Sequence, residues 1–210
     1  MRTWKRGSDT LIIVIHEIYG INAHINGVCR DMADAGYDVI CPDLLDGKPA
    51  FPYEREEEAY QYFFNYAGFE SSVKRVAFLI RQAELEYRRI FLLGFSAGAT
   101  IAWLCGGNLP SLNGVIGLYG SRIRDRLDLT PKCPTLLIFS KEEKSFDPVI
   151  LKEKLMQKDQ LEVHILEGRH GFADPYSEQY NETSAAEAKK LVAEFLIRQE
   201  SLPGPGNEKR

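Results

Sequence analysis

Two kinds of apolar block alternate along this chain: short continuous runs rich in β-branched residues, and longer stretches with apolar positions three and four residues apart. The first run, Thr10–His16 (TLIIVIH), is apolar throughout, as a strand buried on both faces of a parallel sheet must be. From Asn22 to Ala35 the spacing becomes helical. Ile25, Val28, Cys29, Met32 and Ala33 share one side, and Gly36 is placed to cap the C-terminus. Further strands are predicted at Tyr37–Cys41 (stopped by Pro42), Arg89–Phe95, Val115–Tyr119, Thr135–Ser140 and Leu161–Leu166. Helical spacing covers Val73–Tyr87, Ser96–Cys105, Pro148–Gln157 and Ser184–Gln199, with Asp147 suited to an N-cap and Pro148 to the first helical position.

Strands alternating with helices predict the α/β class: a single domain with a doubly wound, mostly parallel sheet flanked by helices. The domain is expected over residues 1–200, with Ser201–Arg210, which contains PGPG, as a disordered tail. Ligands of such sheets bind beyond the carboxyl ends of the strands, so a functional residue should fall just past a strand. One segment, 46–69, breaks the alternation with eight aromatic residues and an acidic run at Glu54, Glu56, Glu57 and Glu58. Two compatible readings exist for it. It is an irregular excursion whose aromatics pack on the domain, or a flap whose aromatics (Tyr53, Tyr60, Phe63, Phe64) line a pocket with Tyr19 and Phe172.

Composition narrows the classes. A chain of 210 residues can bury a core without disulfides or metal. The net charge of −4 carries no basic run, which excludes a nucleic-acid surface. No stretch approaches the roughly 18 apolar residues of a membrane span, and the first residues lack a signal-peptide pattern; a cytoplasmic protein with no membrane partner is expected. Cys29, Cys41, Cys105 and Cys133 form no C-x-x-C pair and read as reduced, buried small hydrophobes; neither metal nor cofactor is expected.

The chemistry concentrates at Gly94-Phe95-Ser96-Ala97-Gly98, a G-x-S-x-G pattern where a buried strand meets a helix. Such a turn strains the serine and needs glycines around it, and the helix N-terminus offers N–H groups to a developing oxyanion. Ser96 is therefore the candidate nucleophile. Its base must be a histidine at a strand end. His164 lies inside a strand, His24 lies in the first helix and is expected to be partly exposed, and His16 comes too early in the chain. His170, just after the sixth strand, fits both position and the order Ser, acid, His. Three carboxylates compete for the third place. Glu143, just past Ser140, has the usual reach and is favoured; Asp147, better explained as a helix cap, and Glu142 are the alternatives.

His16-Glu17-Ile18-Tyr19-Gly20, Asp34-Ala35-Gly36-Tyr37, Cys41-Pro42-Asp43-Leu44, the Ser96 elbow and Arg169-His170-Gly171-Phe172 together resemble the dienelactone hydrolase family of α/β-hydrolases. The resemblance implies a minimal α/β-hydrolase acting on esters or lactones without a metal, with an oxyanion hole from the N–H groups of Ile18 and Ala97. It also implies a carboxylate at Glu17 that either helps to activate the nucleophile or structures its loop. Two positions depart from the family's type enzyme: a serine stands where that enzyme has cysteine, and Asp174 where it has a substrate-binding arginine. Arg169 or Arg55 is then left to take the arginine's place. The expectation is a serine hydrolase of a small ester or lactone working through an acyl-enzyme. A thioesterase or acyltransferase with the same triad, a carbohydrate esterase and a non-catalytic binding protein are the alternatives.

Overall fold

The computed structural model describes residues 1–202; the predicted tail beyond Leu202 lies outside them. Strands β1 (Arg2–Trp4), β2 (Thr10–Ile15), β3 (Asp38–Cys41), β4 (Arg89–Phe95), β5 (Gly114–Leu118), β6 (Thr135–Glu142) and β7 (Leu161–Arg169) form one sheet in the order β1-β3-β2-β4-β5-β6-β7. All neighbours are parallel except β1, which runs antiparallel to β3 at the edge. This strand was not legible: a three-residue edge strand with only Trp4 partly buried carries no periodicity.

The six residues of β2 are all buried, because helices cover both faces. On one face Leu11, Ile13 and Ile15 pack against α3 (Phe69–Ala83) and α4 (Ala97–Asn108). On the other, Ile12 and Val14 share a cluster with Ile25 and Cys29 of α1 (Ala23–Asp34) and with Val192 and Phe195 of α6 (Glu182–Glu200). A third cluster joins Trp103 of α4 and Leu137 and Phe139 of β6 to Leu151 and Leu155 of α5 (Pro148–Leu155). The chain thus builds the α/β architecture that alternation predicts. All four cysteines are free and buried.

The 46–69 segment is more regular than its sequence suggests. A short 3-10 turn at Tyr53–Arg55 leads into α2 (Glu56–Tyr62), then a π-helical turn, Phe63–Ala67, which ends at Gly68 with φ +63°. Glu56, Glu57 and Glu58 occupy the first turn of α2, where carboxylates suit the helix dipole. Among the described residues, no helix is long and apolar enough to cross a membrane.

Candidate active site

β3 and β4 lie on opposite sides of β2, so the connections leaving the ends of β2 and β4 run apart and open a crevice between them. Ser96 stands there, at the end of β4 and the head of α4, with φ 51° and ψ −113°. The strained backbone is held by Ser96 N donating to Leu118 O at 2.9 Å. Both glycines of the pattern are required by close approach. A Cβ on Gly94 would lie 2.2 Å from Gly98 O, and one on Gly98 2.1 Å from Ile15 O. The elbow can therefore press α4 against the ends of both strands.

β7 runs to Arg169, further than predicted, and delivers His170 directly beyond the strand. Its Nε2 lies 2.9 Å from Ser96 Oγ. With the serine hydroxyl donating there, the network assigns the ring proton to Nδ1, which lies 3.1 Å from both Oε1 and Oε2 of Glu143. The Glu143 side chain is 3% exposed, and Ser140 Oγ donates to its Oε1. Burial opposes a charge on His170, but the Glu143 hydrogen bond and charge, aided by Glu17, outweigh it and raise its pKa above 6.5.

The competing residues are engaged elsewhere. Asp147 caps α5, accepting from the N–H groups of Val149 and Ile150. Glu142 pairs with Arg169 at 3.0 Å. His16 is fully buried; its Nε2 accepts from Leu44 N at 3.0 Å, which leaves Nδ1 to donate to Glu17 O at 2.6 Å. His164 meets Glu162 at 2.8 Å on β7. His24 corrects an expectation: it is buried rather than partly exposed, its ring edge-on to Phe95, because α1 turns that side of the helix onto the end of the sheet.

A cleft of about 910 Å³ opens over Ser96 and His170. Tyr19, Tyr53, Tyr60 and Phe64 line it as expected, with Phe69 in addition. Phe63 and Phe172 do not. Both are fully buried, Phe63 at the start of the π-helical turn and Phe172 against Tyr119, so they serve the core instead. Ile18 and Ala97 line the cleft together with Ser96, and Ala97 is the first residue of α4, where N–H groups lack helical partners. Arg169 lines the cleft; Arg55 instead pairs with Glu58.

Glu17 also lines the cleft, yet is only 5% exposed, and its Oε1 has no hydrogen-bond partner. Burial lifts its pKa to about 7, with His170 opposing and Asp174 adding to the rise. The Tyr119 hydroxyl lies close by, but the two groups do not complete a hydrogen bond. Tyr119 is a residue that sequence reasoning missed. It follows β5 with φ 42°, and its ring centroid is 5.0 Å from that of His170. Its position at the very end of a predicted strand was the available signal. Asp174, 2% exposed, accepts from Tyr176 N at 2.9 Å and from the Tyr53 hydroxyl, which itself accepts from Asn22 Nδ2. That chain ties the His170 loop to the aromatic segment and to the head of α1.

Comparison with known proteins agrees with this architecture. A sequence model of the dienelactone hydrolase family matches residues 3–199. The uncharacterized protein YczH of Bacillus subtilis (strain 168) is 41% identical over 173 residues, covering 81% of this chain and 84% of its own. A Saccharolobus solfataricus protein provisionally named carboxymethylenebutenolidase is 26% identical, covering 89% of this chain and 88% of its own. Among solved structures, one from Klebsiella pneumoniae, provisionally described as a dienelactone hydrolase, has the same fold: TM-score 0.74, 19% identity, 90% of this chain and 86% of that one covered. The chain belongs to the dienelactone hydrolase family, hydrolases that act on ester bonds.

Proposed function

We propose that this protein is a serine hydrolase that cleaves a small carboxylic ester or lactone through an acyl-enzyme. The observation that carries the reading is the unbroken contact chain from Ser96 Oγ through His170 to the buried carboxylate of Glu143. Ser96 attacks the carbonyl carbon while His170 Nε2 takes its proton. Glu143 holds the ring and stabilises the imidazolium. The N–H groups of Ile18 and Ala97 receive the oxyanion, aided by the N-terminus of α4. As the tetrahedral intermediate collapses, His170 returns the proton to the leaving alkoxide. In a lactone that alkoxide stays tethered to the acyl group. Water, deprotonated by His170, then attacks the acyl-enzyme, and His170 passes that proton to Ser96 Oγ as the carboxylic acid leaves.

The cleft suits a substrate with apolar surface, since Tyr19, Tyr53, Tyr60 and Phe64 line it together with Ser96. Treating the folded protein with a fluorophosphonate and mapping the adduct by mass spectrometry tests the reading. Labelling at Ser96 with loss of esterase activity is expected. An unlabelled Ser96 in folded protein overturns it.

A further inference from the structure

We propose that the cleft sorts esters by charge, taking those that are uncharged or carry an ammonium group and turning away those that carry a carboxylate. The inference rests on the proposed reaction and names its substrate class. Seven carboxyl side chains line the cleft against three Lys or Arg side chains. Two of those cations are already engaged. Arg169 and Glu142, both in the wall, pair with each other at 3.0 Å and offset, while Arg122 pairs with Asp125 at 3.0 Å and lies over the Phe64 ring. Lys144 makes no ion pair among the described residues, but its neighbours in the wall include Glu142 and Glu143.

Besides Glu143, two carboxyls of the wall are buried. Asp174 is fixed by Tyr53 and the Tyr176 N–H, and Glu17 lines the same cleft as Ser96 with Oε1 buried and unpartnered. A buried carboxyl oxygen with no partner is costly unless a ligand group meets it, so Glu17 favours a substrate group of positive character over a carboxylate. An incoming carboxylate would add like charge at short range in a walled cleft, where charge effects are focused rather than diluted by water. An ammonium group meets the opposite field.

The test compares p-nitrophenyl esters with acyl chains of matched length: butyrate, hemisuccinate and 4-(trimethylammonio)butyrate. At low salt, kcat/KM is expected to be at least about tenfold lower for the hemisuccinate than for the butyrate. The ammonium ester should match or exceed the butyrate, and added salt should narrow the spread. Asp174→Asn and the double variant Glu54→Gln/Glu56→Gln should each raise the relative rate on the hemisuccinate. Equal or faster turnover of the hemisuccinate overturns the inference while leaving the hydrolase reading intact. Absence of turnover on all three, with Ser96 unlabelled by fluorophosphonate, overturns the hydrolase reading instead. Binding of the corresponding methyl esters to folded Ser96→Ala protein, by calorimetry, then decides the charge preference without turnover. Tightest binding by the carboxylate-bearing ester would overturn it.

Discussion

Both carboxylate oxygens of Glu143 stand 3.1 Å from Nδ1 of His170, so the acid straddles the ring nitrogen rather than meeting it through one oxygen. Ser140 and near-complete burial of the Glu143 side chain hold it there. Replacing Glu143 with Gln keeps the shape but loses the charge that favours the imidazolium. Esterase kcat should fall by about 10³-fold or more, approaching the loss seen when a triad acid becomes an amide. The measurement is steady-state kinetics on a small neutral ester; a loss below tenfold would remove Glu143 from the triad.

The pH dependence follows from the same contact. In the proposed mechanism attack needs neutral His170, whose pKa lies above 6.5, so activity should rise with pH through a midpoint above that value. Glu17 contributes to the rise, and Glu17→Gln should move the limb to lower pH. Profiles of kcat/KM from pH 5 to 9 would show this; a flat profile from 5 to 8 counts against His170 as base.

Glu17 should also mark stability. A carboxyl raised from 4.5 to about 7 by burial favours the folded state only while protonated. Its contribution is full below the unfolded pKa and is lost as pH rises from about 4.5 through 7. The loss is about 3 kcal/mol at pH 8, reckoned at 1.36 kcal/mol per unit. Glu17→Gln, which cannot ionise, should therefore raise the melting temperature at pH 8 and leave it nearly unchanged at pH 4.5. Equal effects at both pH values would contradict the assignment.

At Gly98, alanine should be among the most damaging small substitutions, since its Cβ would meet the Ile15 and His16 carbonyls, at 2.1 and 2.7 Å. Relieving such backbone contacts requires α4 to shift from the sheet, at a cost of several kcal/mol. Gly27, on α1, has open space and an ordinary φ, so alanine there should be neutral or mildly stabilising. Chemical denaturation of the two variants makes the comparison, and similar midpoints would refute it.

The sequence by itself determined the sheet class, the central strands and the two catalytic candidates of clearest position, Ser96 and His170. Those features are local: a buried parallel strand must be a continuous apolar run, and a nucleophile elbow must carry small residues at fixed offsets. Gly36 at φ +100° and the Asp147-Pro148 helix start were legible for the same reason. Tertiary structure decided the rest. Which of Glu142, Glu143 and Asp147 reaches His170 depends on how far β6 and β7 run side by side, and no spacing within one segment encodes that. Whether an aromatic faces the cleft or the core depends on what packs beneath it, so Phe64 lines the pocket while adjacent Phe63 does not. His24 and Tyr119 were misjudged or missed because burial belongs to the packed assembly of elements and not to the chain that supplies them.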